Sequence, residues 1–377
     1  MFHQLLTISG ILGIMSLLQF SILIFLGFEI FSIIIFRIFV RYRWKISGTE
    51  AVKYLISNND ESPVREFVSN PYSLYWNTPN WVVNGIKQTD SRGYRSHSGE
   101  ISELPGEGIY RILALGGSTT FSNHFFESPK DAWPAILERI LKDKYNLQCE
   151  VINAGLNYAM TPELISHYMF YGQHLNPDLI ILDGPGNDFL PIAVGDNSYD
   201  YRHTRKSIYF QKRKYEKQAL KISGSLRLLY SFWVSTSRLL KLEPPYFNFG
   251  SNPNHNENLL ESNANVLKLN LTTIARYISQ IEKKLLLIDF MYTAPLELRK
   301  FHPNTYKGLL AFNYRASDIM SKIAKDFGDS VSHLDFKLED KFEGKFHDSC
   351  HLNLEGEKIK AELIGRRISD ILGLDLI

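Results

Sequence analysis

The chain of 377 residues predicts an α/β fold, a three-layer α/β/α sandwich around a central parallel sheet, and three observations carry that prediction. Short apolar runs bounded by turn formers alternate with helical segments from residue 110 onward. The first run ends in Gly116-Gly117-Ser118-Thr119, a tight exit that leaves a polar group at the strand's C-terminal edge, where open α/β sheets hold their sites. The last helical segment is preceded by Asp348-Ser349-Cys350-His351-Leu352, which sets a carboxylate and an imidazole three positions apart.

Before the sandwich comes an apolar stretch, Leu5 to Val40, broken only by Thr7, Gln19, Glu29, Arg37 and scattered Ser and Gly. About 20 such residues cross a bilayer as a helix, so one span is the economical reading, and two spans with a turn would need more chain. A cleaved signal peptide would start basic and have a shorter apolar core, whereas no Lys or Arg precedes this stretch. A soluble core helix of this length would show a polar face. Glu29 is the discordant residue: a carboxylate in lipid seeks a partner, which places it at the span's end or at a helix contact. Residues 1–43 therefore form an anchor with a basic flank, and Arg37, Arg41, Arg43 and Lys45 on that flank argue that the following chain is cytoplasmic. Residues 44–108 read as a connecting segment with short elements, because Tyr72, Tyr75, Trp76 and Trp81 are too many aromatics for a disordered linker.

The sandwich is expected over 109–377. Its strands are Tyr110 to Leu115, Glu150 to Asn153, Asp178 to Leu182, Leu285 to Phe290 and Val331 to Leu334. Its helices are a segment capped by Asp131 and running through Lys142 with Pro134 in its first turn, then Thr161 to Tyr171, Leu309 to Phe327, and Leu354 to Leu372 capped by Asn353. An insertion at about 190–280 is far longer than a usual connection and is expected to be a lid or accessory lobe. Its first half interleaves Arg202, Arg205, Lys206, Lys212, Arg213, Lys214 and Lys217 with Tyr199, Tyr201, Tyr209, Phe210 and Tyr215. Its second half holds Tyr230, Phe232, Trp233, Tyr246, Phe247 and Phe249. Such a mix is compatible with a solvated helical face or with an anionic lipid or glycan surface.

The net charge of +2 exerts no global pull toward nucleic acid, and no nucleic-acid partner is expected. Cys149 and Cys350 stand far apart with no C-x-x-C spacing, so neither a disulfide framework nor a zinc site is signalled. His124, His167, His174 and His203 form no ligand cluster and read as surface or packing residues. Neither a metal nor an organic cofactor is expected.

The chemistry lies in three separated segments. A serine hydroxyl becomes a nucleophile only when a base takes its proton and a carboxylate orients that base. Ser118, His351 and Asp348 are of the required types, although a glycine-rich turn by itself equally suits a phosphate. The chain order Ser, Asp, His and the absence of a G-x-S-x-G elbow exclude the trypsin-like, subtilisin-like and α/β-hydrolase arrangements. Taken with Ile152-Asn153-Ala154-Gly155 and Gly186-Asn187-Asp188, the spacing resembles the SGNH (GDSL-type) hydrolase superfamily over roughly residues 85 to 370. Asp90-Ser91-Arg92-Gly93-Tyr94-Arg95 is similar to the lead-in of anchored members. The resemblance implies a flavodoxin-like strand order and an oxyanion hole from the Ser118 and Gly155 N–H groups and the Asn187 amide, with Asp188 bracing the loop. Two departures stand out: Gly-Gly-Ser-Thr replaces Gly-Asp-Ser, and Pro185 replaces a glycine. The resemblance also implies an esterase or acyl hydrolase acting on an acyl ester of an envelope glycan or lipid. A body outside the cytoplasm is implied as well, against the charge bias, and the expectation follows the resemblance. An O-acyltransferase with the same triad, and a non-catalytic binding or scaffold protein on the same fold, remain alternatives.

Overall fold

The computed structural model describes residues 2–41, 66–122, 126, 128–193, 214–240, 255–336 and 340–377, which fall into two compact units. The first contains the N-terminal helix α1 (Phe2–Arg41) and part of the insertion. An apolar span, Leu17–Ile38, lies within α1, with a mean hydropathy of 2.3 and most of its side chains exposed, long enough to cross a membrane. The second unit is the α/β sandwich.

The sandwich is approached through two antiparallel pairs, β1 (Phe67–Asn70) with β2 (Leu74–Asn77), and β3 (Val82–Val83) with β4 (Ile86–Lys87). Tyr75, Trp76 and Trp81 of this segment are buried, whereas Tyr72 is exposed. Five parallel strands follow among the described residues: β5 (Tyr110–Gly116), β6 (Cys149–Gly155), β7 (Leu179–Asp183), β8 (Lys284–Ile288) and β9 (Val331–Leu334). They are ordered β6-β5-β7-β8-β9, so the first strand of the sheet lies between the second and the third, the flavodoxin-like order. The chain reverses its winding direction beside β5, the place at the strands' C-terminal ends where open α/β sheets hold their sites.

Helices in chain order are α2 (Ser118–Phe121), α3 (Trp133–Tyr145), α4 (Thr161–Phe170), α5 (Phe189–Ala193), α6 (Lys214–Ile222), α7 (Gly224–Leu239), α8 (His255–Glu261), α9 (Asn265–Gln280), α10 (Pro295–Phe301), α11 (Tyr306–Phe327) and α12 (Leu354–Leu372). One face of the sheet, including Ile112, Ala114, Ile181 and Leu286, packs on Trp133, Leu137 and Leu141 of α3 and on Ala361, Ile364 and Ile368 of α12. Strand residues of the other parity, such as Leu113, Leu115, Ile180 and Leu287, are equally buried, as are Leu164 of α4, Leu271 and Ile274 of α9 and Met320 of α11. Burial on both faces explains why these strands read as continuous apolar runs.

Asn353 caps α12 as expected, accepting from Gly356 N at 3.0 Å. Asp131 does not cap α3. It closes a short 3-10 turn instead, Ala132 occupies the cap position, and the Trp133 N–H finds a remote acceptor, Glu357 Oε2, at 2.7 Å. A tertiary carboxylate has replaced the local cap that the sequence pattern suggests.

Of the insertion, α8 and α9 belong to the sandwich, whereas α6 and α7 belong with α1. There Glu29 finds its partner. Its carboxylate accepts from Gly224 N at 2.7 Å and Ser223 Oγ at 2.9 Å, and also from the Ser225 hydroxyl, so it caps the N-terminus of α7. Gly224 permits this contact, since a Cβ there would stand 2.5 Å from Ile33 Cγ1 and 2.7 Å from its backbone nitrogen. The residues Arg202, Arg205, Lys206, Lys212, Arg213, Tyr199, Tyr201, Tyr209, Phe210, Tyr246, Phe247 and Phe249 lie outside the described residues, as do Arg43, Lys45, His124 and His203.

Candidate active site

β5 delivers the first side chain. The strand runs out at Gly116, Gly117 turns the chain, and Ser118 opens α2, so its N–H is a helix-terminal donor without an intrahelical partner. Ser118 Oγ lies 2.9 Å from His351 Nε2, across 233 residues of sequence. His351 Nδ1 lies 2.8 Å from Asp348 Oδ2.

The Asp348–His351 segment is held by its own backbone. Phe346 and Leu352 form a bridge, and the His347 N–H donates to His351 O at 2.8 Å. Within this loop Asp348 Oδ1 accepts from the N–H groups of Cys350 at 2.9 Å and His351 at 2.8 Å. That Asx-type turn leaves Oδ2 facing the ring, which is why a spacing of three suffices. Thr293 N to Ser349 O at 3.0 Å and His302 Nε2 with Ser349 Oγ at 3.2 Å fasten the loop from outside. Burial alone would raise the Asp348 carboxyl, but the His351 ring and the two N–H donors outweigh it and hold the group well below the usual carboxylate range. For His351, burial works against the charged form, and the Asp348 carboxylate more than reverses this, holding the imidazole above the ordinary histidine value.

The expected oxyanion donors sit differently from one another. Asn187 Nδ2 donates to Ala159 O at 2.9 Å, which engages one of its two amide hydrogens. The amide lies against the residue before Ser118, since a Cβ on Gly117 would stand 3.0 Å from Nδ2. Pro185 has therefore not carried Asn187 away from the serine turn. Gly186 is needed behind it, because a Cβ there would enter the Phe290 ring, 2.0 Å from Cε2. The Gly155 N–H is engaged by Asn153 Oδ1 at 2.9 Å, and Gly155 lies directly under α2, where a Cβ would come within 2.3 Å of Phe121 N. Asp188 caps α4, accepting from Thr161 Oγ1 at 2.6 Å and Thr161 N at 3.0 Å.

Beneath Ser118 lies a polar network that sequence reasoning misses. Asp183, at the end of β7, receives Lys360 Nζ from α12 at 2.8 Å on both oxygens, together with the hydroxyls of Thr119 and Thr120. Both ion-pair partners are buried, with side chains 3% and 1% exposed. One turn earlier Glu357 accepts from Ser122 Oγ at 3.1 Å and Trp133 N at 2.7 Å, and burial pushes its carboxyl up to about 7 against the pull of Lys360. α12 starts directly after His351, so one helix grips the serine turn while fixing where the histidine loop ends. On the far side Arg95, from the lead-in segment, packs its guanidinium 4.9 Å from the Phe121 ring and reaches Phe126 O at 3.2 Å. Its N–H donates to Asn153 O at 3.1 Å. His167 is a packing residue: it stacks 3.6 Å from Trp76, and burial pushes it down to about 3.

No family model and no curated protein matches the sequence. Among solved structures, the chain is similar to a lipase/acylhydrolase from Enterococcus faecalis at 14% identity and a TM-score of 0.42, covering 71% of this chain and 98% of that one. It is similar to an acetylxylan esterase from Geobacillus stearothermophilus at 14% identity and TM-score 0.41, covering 69% and 94%. A GDSL-like lipase from Bacteroides thetaiotaomicron VPI-5482 matches at 11% identity and TM-score 0.37, covering 71% and 91%. Likeness at this level carries no argument about activity or substrate, which rest on the side chains described above. The structural neighbours also include a lipolytic protein of the G-D-S-L family from Desulfitobacterium hafniense DCB-2, at 13% identity and TM-score 0.37.

Proposed function

We propose that the protein is a membrane-anchored serine esterase or acyl hydrolase that works through an acyl-serine intermediate. The observation that carries this is the unbroken line from Ser118 Oγ to His351 Nε2 at 2.9 Å and from His351 Nδ1 to Asp348 Oδ2 at 2.8 Å. Ser118 Oγ attacks the ester carbonyl while His351 takes its proton, and His351 then returns that proton to the leaving alcohol. Asp348 keeps the imidazole in the Nδ1–H tautomer and stabilises the imidazolium as it forms. Water activated by the same imidazole releases the acid.

Negative charge developing on the carbonyl oxygen calls for preorganised donors. The Ser118 N–H and the second hydrogen of the Asn187 amide are the two best suited. The Gly155 N–H joins them only if Asn153 Oδ1 lets go, so the main work of Gly155 is to let α2 lie flat on β6. The donor set of the mechanism needs no cofactor.

The apolar span of α1 is read as the anchor, with the catalytic body outside the cytoplasm and an O-acylated envelope glycan or lipid as substrate. Exposed Ile222, Leu226, Leu229 and Trp233 continue an apolar face along α6 and α7, which suits an element apposed to lipid. The decisive experiment is turnover of p-nitrophenyl acetate by wild type and Ser118→Ala, with product analysis in the presence of a sugar acceptor. Loss of turnover in the variant supports the assignment, and undiminished turnover refutes it. Transfer of the acetyl group to the sugar instead of water would make the protein an O-acyltransferase with the same triad.

A further inference from the structure

The geometry points to a second use of the Asp348–His351 loop: we infer that Asp348, Cys350 and His351 form an inhibitory binding site for a borderline-soft divalent cation of the Zn2+ type. Cys350 is partly exposed, with its Sγ 3.7 Å from His351 Nδ1. Nδ1 is 2.8 Å from Asp348 Oδ2, and the three ligand atoms all lie within 4.8 Å of one another. A tetrahedral zinc ion, with Zn–S about 2.3 Å and Zn–N and Zn–O about 2.1 Å, needs its sulfur and nitrogen ligands ~3.6 Å apart and its nitrogen and oxygen ligands ~3.4 Å apart. The thiol and the imidazole already meet that spacing, and the carboxylate has to recede by only ~0.6 Å. The other carboxylate oxygen is fixed by the N–H groups of Cys350 and His351, so Oδ2 is the one presented. A thiolate, an imidazole and one carboxylate suit Zn2+ or Co2+, whereas Mg2+ and Ca2+ require oxygen ligands.

Occupation stops proton transfer without moving the backbone. The Cys350 thiol releases its proton to solvent on binding, and the His351 Nδ1 proton passes through solvent to Nε2. No electron is transferred. The cation then holds the Nδ1 lone pair, and Nε2–H donates toward Ser118 Oγ where it has to accept. Tautomer control, which the triad obtains from Asp348, is thereby reversed. Inhibition rests on the proposed esterase reading, but the cation site itself does not.

Two measurements on the full-length protein in detergent separate these. Addition of Co2+ to wild type should produce the near-ultraviolet thiolate-to-cobalt charge-transfer band, absent in Cys350→Ser and still present in Ser118→Ala. With p-nitrophenyl acetate, Zn2+ should inhibit wild type reversibly, with recovery on adding a chelator, while Mg2+ has no effect. The Zn2+ concentration for half-inhibition, read against each protein's own chelator-treated rate, should rise about 10- to 100-fold or more in Cys350→Ser, as losses around a metal site typically do. A missing charge-transfer band, or equal Zn2+ sensitivity in the two proteins, overturns the site. A band in a protein without any esterase activity retains the site and removes the catalytic reading.

Discussion

Asn187 and His351 make the sharpest statements at the scale of single residues. Asn187 donates to Ala159 O and its amide lies against the turn that carries Ser118, so Asn187→Ala should lower kcat by about 10² to 10³. Steady-state kinetics decide this, and an effect confined to KM would make Asn187 a substrate-binding residue. His351 acts as a base only when unprotonated, and Asp348 raises its affinity for the proton. The acid limb of kcat/KM should therefore lie above the ordinary histidine value and move to lower pH in Asp348→Asn, with a reduced plateau. A pH profile whose acid limb stays in place would separate Asp348 from His351. Ser118, Asp348 and His351 were legible in the sequence because a glycine turn after an apolar run and an Asp-x-x-His spacing are local signatures. The engagement of the Gly155 N–H by Asn153 was not, because it depends on a side-chain rotamer inside β6.

Among the elements, α12 carries most of the site's geometry. Lys360 holds Asp183 under the serine turn, and removing one partner of a buried ion pair leaves the other charge stranded. Lys360→Met should destabilise the protein by about 3–5 kcal/mol, and the double variant Asp183→Leu/Lys360→Met should recover part of that loss. Thermal unfolding of the three proteins tests this, and additive losses would show that the two side chains do not act as a pair. The five strands and helices α3, α4, α11 and α12 are readable from their runs and turn formers; α9, which the sequence leaves inside the insertion, is not, and neither are the roles of Glu357 and Lys360. Both residues sit on an amphipathic helix, where charged residues normally mark the solvent face, and only the sheet's path brings Asp183 beneath them. The α3 start shows the same limit from the other side, since the Trp133 N–H is satisfied by Glu357 from the far end of the chain.

For the molecule as a whole, α1 does more than supply length. Glu29 and Ile33 receive the start of α7, so removing residues 1–43 uncovers a face of α7 whose opposite side already exposes Leu229 and Trp233. The truncated protein should still partition into detergent or vesicles, and replacing residues 214–240 by a short polar linker as well should yield a soluble esterase. Ultracentrifugation of the two truncations checks this, and full solubility of the first would mean that α6 and α7 have no affinity for lipid. The cost of a carboxylate among lipid tails places Glu29 at the span's end or at a helix contact, and the structure shows the helix contact, with a partner nearly two hundred residues away that no local signal names. The insertion's division between α1 and the sandwich was hidden for the same reason: its apolar periodicity marks buried faces without saying what buries them.

For any of this chemistry to proceed, His351 has to activate the Ser118 hydroxyl. Labelling the full-length protein with a fluorophosphonate and locating the adduct by peptide mass spectrometry tests it most directly. A single adduct on Ser118, lost in Ser118→Ala and strongly reduced in His351→Ala, is the expected result. An adduct on another residue, or labelling of Ser118 that is indifferent to His351, would contradict it.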